Sequence, residues 1–129
     1  MGLHILTILA VGDLDRASRF YRRAFPEWQV SVEAPVYVEF TLPGGQRLGV
    51  YQREAFARNT GVLPQAPAPD GITGTEIYLH CQDLAEAVEG ARAAGARLLS
   101  ELAPRPWGDE VAYLADPDGN VLALARPLP

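Results

Sequence analysis

Hydrophobic and polar positions along this 129-residue chain follow one pattern twice. Residues 8–17, Ile8-Leu9-Ala10-Val11-Gly12-Asp13-Leu14-Asp15-Arg16-Ala17, open with an apolar run, turn at an aspartate and continue at helical spacing. Residues 78–87, Tyr78-Leu79-His80-Cys81-Gln82-Asp83-Leu84-Ala85-Glu86-Ala87, do the same. A short carboxylate accepts from the free N–H groups of a first helical turn, so Asp13 and Asp83 are expected N-caps. Glu86, three residues after Asp83, completes a capping box. Leu14, Ala17, Phe20, Tyr21 and Ala24 make one apolar helix face, and Leu84, Ala87, Val88 and Ala91 the other. Pro26 and Gly95 end the two helices.

Strand-like runs follow each helix, at 29–33, 36–42 and 46–52, then at 97–102, 110–115 and 121–126. Pro43-Gly44-Gly45 and Asp116-Pro117-Asp118-Gly119-Asn120 supply turn chemistry between the last two strands of each set. Each half is therefore βαβββ, and the chain is expected to be α+β with eight strands and two helices. It forms one domain: module one over 1–52, a linker or flap over 53–75, and module two over 76–129. The linker is rich in proline and glycine and is expected on the surface.

Charge and composition remove several classes of function. The chain carries 11 basic residues, all Arg, against 16 acidic ones, for a net charge of −5. No basic run marks a nucleic-acid footprint. The single cysteine, Cys81, rules out an internal disulfide framework and points to a reducing compartment. The apolar stretch 3–11 is too short to span a bilayer and lacks the flanks of a signal peptide. These features point to a soluble cytoplasmic protein that binds neither membrane nor nucleic acid.

Gly12-Asp13-Leu14-Asp15-Arg16-Ala17 with Phe20-Tyr21, the paired module, and Pro106-Trp107-Gly108 leading to Asp116-Pro117-Asp118-Gly119-Asn120 resemble the vicinal oxygen chelate superfamily. That superfamily contains glyoxalases, bleomycin-resistance proteins and extradiol dioxygenases, and the pattern here is most similar to the bleomycin-resistance branch. The resemblance covers nearly the whole chain. It implies two curved half-barrel sheets with helices on their outer faces, and a ligand or metal in the cavity between paired modules of one chain or of two. It also implies a homodimer, which fits the unpaired strand edges of an open half-barrel.

Metal-dependent members take ligands from four positions, which map here to Leu6, Gly49, Glu76 and Ala123. Glu76 alone among them is a donor, whereas a catalytic ion ordinarily has about three protein ligands. No cofactor is therefore expected, although a divalent metal stays open through an unusual set such as His4, Glu76 and His80. Strand alternation places Glu76, Tyr78 and His80 on the concave side with Val121, Ala123 and Ala125, and Tyr51 with Gly49 on the corresponding side of module one.

The resulting expectation is a small-molecule binder whose organic, possibly cationic guest is held by Glu76, Tyr78, Tyr51, Trp107, His4 and Ala123. The small residues make room in this arrangement. Glu76 is either a ligand anchor and possible base or a carboxylate satisfied by Arg47 or Arg126. Trp107 either stacks on a planar ligand or covers the barrel end. The competing reading is an enzyme, a metal-dependent lyase, isomerase or dioxygenase with displaced ligands. A third is a degenerate module filled by its own side chains.

Overall fold

The computed structural model describes residues 4–129. The described residues divide into two compact units, one reaching Gln65 without residues 23–25 and the other made of residues 23–25 and 66–129. In module one, β1 (Leu6–Val11) leads into α1 (Leu14–Ala24), then β2 (Gln29–Ala34), β3 (Tyr37–Thr41) and β4 (Arg47–Gln52). These strands form an open, curved sheet in the order β1-β4-β3-β2, with β1 parallel to β4 and the other pairs antiparallel.

The Asp13 carboxylate accepts the Arg16 N–H at 3.1 Å, as expected of a cap. Tyr21 of α1 stacks on Trp28, ring centroids 5.8 Å apart, and both rings meet Phe40 of β3 at 6.2 Å. That aromatic cluster is the core between helix and sheet. Gln52 adds a latch that has no counterpart in the repeat pattern. Its Oε1 accepts the Leu14 N–H at 2.9 Å, and its Nε2 donates to the Gly12 carbonyl and to Glu54. The bond from Gln52 is the main reason the Glu54 carboxyl lies below its ordinary range.

Module two repeats the plan. β5 (Glu76–His80), α3 (Leu84–Ala94), β6 (Arg97–Pro104), β7 (Asp109–Ala115) and β8 (Val121–Pro127) give the order β5-β8-β7-β6. Asp83 accepts the Glu86 N–H at 3.1 Å, and Gly95 ends α3 in the left-handed conformation, φ 117°. Leu122 and Leu124 of β8 are fully buried, and α3 packs on that strand.

The segment 53–75 adds a third helix to the two that were expected. Its first part is a helix, α2 (Arg53–Thr60), closed by Gly61 at φ 80°, with Ala55 buried. Arg53-Glu54-Ala55-Phe56-Ala57-Arg58 are mostly good helix formers; the dense proline and glycine that follow obscured them. The second part is fastened to module two rather than loose. Thr73 N–H donates to the Gly119 carbonyl and Thr73 Oγ1 to Asn120 Oδ1, both at 2.8 Å, while Arg97 donates to the Gly71 carbonyl at 3.1 Å. Among the described residues no helix is long and apolar enough to cross a membrane.

Candidate functional site

In module one, register sets Gly49 of β4 between Ile8 of β1 and Glu39 of β3. Two residues along, Tyr51 lies between Ala10 and Tyr37. Alternation puts Gly49, Tyr51, Tyr37 and Glu39 on one face. The space beside Gly49 is taken: a Cβ there would lie 2.5 Å from Tyr37 Cε1 and 2.7 Å from Cζ, and closer still to the hydroxyl. The phenol donates to Glu39 at 2.7 Å, and Arg47 reaches the other Glu39 oxygen at 3.4 Å. Glu39 is only 5% exposed. Burial, followed by the bond to Glu39, pushes the Tyr37 phenol well above its ordinary range. Tyr51 packs on Tyr37 and Phe56 and accepts a hydrogen bond from Asn59 of α2 at 3.0 Å.

Module two makes the corresponding arrangement with a different outcome. Ala123 lies between Tyr78 and Tyr113, and both rings pack on the cluster of Val111, Ala123 and Ala125. Ala123 is fully buried under them, so the methyl does not open room for a ligand as the sequence suggested. The Tyr78 hydroxyl donates to Asp109 Oδ2 at 2.5 Å and accepts the Trp107 indole N–H at 2.9 Å. His80 Nε2 lies 3.3 Å from the same carboxylate oxygen. Desolvation, then the bond to Asp109, raises the Tyr78 phenol.

The platform under Trp107 is well fixed. Residues 105–108 form the turn joining β6 to β7, with Gly108 at φ 97°, and the Gly108 N–H donates to the Arg105 carbonyl at 3.2 Å. Arg105 donates to Ser100, Glu101 and Val111, each at 3.0 Å, and its guanidinium lies over the Tyr113 ring. Trp107 nonetheless stays 56% exposed. An indole whose N–H is tied down and whose surface is wet offers its π-face to a partner.

Both modules thus pair a tyrosine with a carboxylate beside the small residue of β4 or β8, but the two carboxylates differ electrically. Glu39 is buried and has Arg47 for a counter-ion. Asp109, with its side chain 16% exposed, has a histidine and the Tyr78 hydroxyl on it, and the Trp107 indole bonds Tyr78 in turn. The nearby Arg126 is engaged by Glu110. Asp109 is therefore the carboxylate able to attract a cation.

Sequence reasoning placed Tyr78 and Trp107 among the ligand-binding residues and weighed His80 as a metal ligand; the fold brings these three together. Asp109 escaped it because the seventh strand was expected to start at Glu110, one residue late, which left Asp109 in a loop. Glu39 was missed too, although a charged residue in the strand Tyr37-Val38-Glu39-Phe40-Thr41 was visible. Glu76 is exposed at the start of β5, four residues from His80. The arginines considered as its partners, Arg47 and Arg126, pair instead with Glu39 and Glu110. His4 is exposed just before β1.

The family-position residues do not fit a metal ion. Leu6, Gly49 and Ala123 carry no donor atom, Tyr37 occupies the volume at Gly49, and two tyrosines cover Ala123.

The family model described as a glyoxalase-like domain matches residues 7–125. The chain belongs to the glyoxalase-like domain family. The glyoxalase-like fold is shared with a glyoxalase-related enzyme from Fulvimarina pelagi, at TM-score 0.83 and 23% identity over 98% of this chain and 88% of that one. A glyoxalase/bleomycin resistance protein/dioxygenase from Nocardioides aligns at TM-score 0.78 and 24% identity over 99% and 85% of the two chains. A curated relative, the uridine diphosphate glucose pyrophosphatase NUDT22 of Bos taurus, is 32% identical over 112 residues. The match takes in 78% of the glyoxalase-like chain but only 39% of the bovine protein, so the activity in that name belongs to a much longer chain.

Proposed function

We propose that this glyoxalase-like protein is a metal-independent binder of a small organic cation, held on module two by Asp109, Trp107, Tyr78 and His80. One observation carries the reading: Asp109 is a largely buried carboxylate with no arginine on it, placed beside an exposed, hydrogen-bond-anchored indole. A carboxylate in partly desolvated surroundings attracts a cation more strongly than one in water. An indole face adds about 0.5–2 kcal/mol to the same guest by cation–π attraction. The net charge of −5 favours approach of a cation. Glu76, Tyr51, His4 and Ala123 are not part of this anchor.

Titration with a small aromatic cation, followed by the Trp107 indole resonance in proton–nitrogen NMR spectra, tests the reading. A saturable shift that disappears in Asp109→Ala supports it. A shift that survives Asp109→Ala would move the site elsewhere.

The same reading includes a homodimer. β2 is an edge strand exposed at all six positions, Val30 and Val32 among them. Unpaired edges of this kind favour pairing with another chain.

A further inference from the structure

Counting donors and acceptors at the module-two site narrows the guest further. Asp109, as a carboxylate, only accepts, so the His80 nitrogen facing it must carry the proton. In a neutral imidazole the other nitrogen, Nδ1, then presents a lone pair. The His80 side chain is 61% exposed, which leaves that ring edge accessible. Both hydrogen bonds to Asp109 fall on Oδ2, from Tyr78 and His80, so Oδ1 is its available acceptor.

The two donors that touch the tyrosine–aspartate pair are committed. Tyr78 gives its proton to Asp109, and Trp107 gives its N–H to Tyr78. The site therefore shows a guest two acceptors, Asp109 Oδ1 and His80 Nδ1, next to a flat π-face. A guest that satisfies it is planar, cationic and carries at least two N–H donors on one edge. Amidines, guanidines and protonated amino-heteroaromatics have that shape and pattern.

We infer that the guest is a planar, N–H-rich cation of the amidinium, guanidinium or aminoheteroarene class, recognised by its paired donors as well as its charge. This rests on the cation-binding reading above. A quaternary ammonium brings charge without donors, so it displaces water from both acceptors and returns no hydrogen bond. A carboxylate guest meets the like charge of Asp109.

The test compares benzamidine, phenyltrimethylammonium and benzoate by isothermal titration. These three share the phenyl ring and differ in charge and donors. All three titrations are run in one mildly alkaline buffer. Benzamidine is expected to bind at least about tenfold more tightly than phenyltrimethylammonium, and benzoate not to bind at millimolar concentration.

His80→Phe removes the second acceptor but keeps a ring. It should weaken benzamidine severalfold more than phenyltrimethylammonium, and a thermal melt of each variant confirms folding. Equal or tighter binding of phenyltrimethylammonium would overturn the donor-pattern inference while leaving a cation binder standing. Binding of benzoate, or of none of the three, would overturn both.

Discussion

Replacing Gly49 with alanine tests whether Tyr37 truly occupies the small-residue position of module one. The added Cβ would sit 2.5 Å from Tyr37 Cε1 and 2.7 Å from Cζ, far inside van der Waals contact. The ring has to swing away by roughly 1 Å, the shortfall from the 3.5–4.0 Å carbon–carbon optimum. Its hydroxyl then leaves Glu39, now 2.7 Å distant, and the buried carboxylate keeps only the 3.4 Å contact to Arg47. Hydrogen bonds to charged groups contribute about 1.5–3 kcal/mol. Relief of glycine's backbone entropy offsets roughly 0.5–1 kcal/mol of that.

Gly49→Ala should therefore destabilise by about 1–2 kcal/mol, or about 3–6 °C in Tm for a chain of this size. Thermal unfolding of Gly49→Ala, Tyr37→Ala and the double variant separates the causes. In the Tyr37→Ala background the same change should be neutral or stabilising, because nothing is left to displace. An equal loss in both backgrounds would refute the reasoning. Cation binding on module two should be unaffected by Gly49→Ala.

Gln52→Ala removes the bonds to Leu14 N–H and the Gly12 carbonyl and should cost about 1–2 kcal/mol in urea unfolding; an unchanged midpoint would contradict the latch. Tyr37 and Tyr78 should ionise above the ordinary phenol range in a spectrophotometric alkaline titration, since both phenols are raised. A phenol raised in the folded state contributes fully below the unfolded value near about 10 and loses its contribution as pH climbs through the folded value. Stability should accordingly fall above about pH 10, and less steeply in Tyr37→Phe. Sedimentation equilibrium at micromolar concentration should give a dimer; a monomer would remove the edge-strand argument.

The duplicated βαβββ plan was legible because local chemistry repeats: Asp13 and Asp83 cap helices, Gly45 and Gly119 sit in hairpins, and both helices carry an apolar face. What failed depended on contacts distant in sequence or on masking neighbours. α2 was hidden because Gly61, Pro64, Pro67 and Pro69 outweighed a short run of good helix formers. Tyr78 and Trp107 could be named as candidates from strand parity and an exposed turn, but their joint partner Asp109 depended on one residue of strand boundary. Parity grouped Gly49 with Tyr51 and Ala123 with Tyr78 without revealing that tyrosines fill the volume above the small residues. Side-chain reach across strands, unlike alternation along one, is not written in a local pattern.

The central claim is that this glyoxalase-like chain binds a cation through Asp109 and Trp107 and has no need of an ion at Leu6, Gly49, Glu76 or Ala123. Benzamidine affinity measured by isothermal titration, on protein dialysed against chelator and again after addition of zinc, nickel or manganese, tests it most directly. The account predicts the same affinity under all four conditions and its loss in Asp109→Ala. Binding that appears only with metal, and that disappears in Glu76→Ala rather than Asp109→Ala, would contradict it.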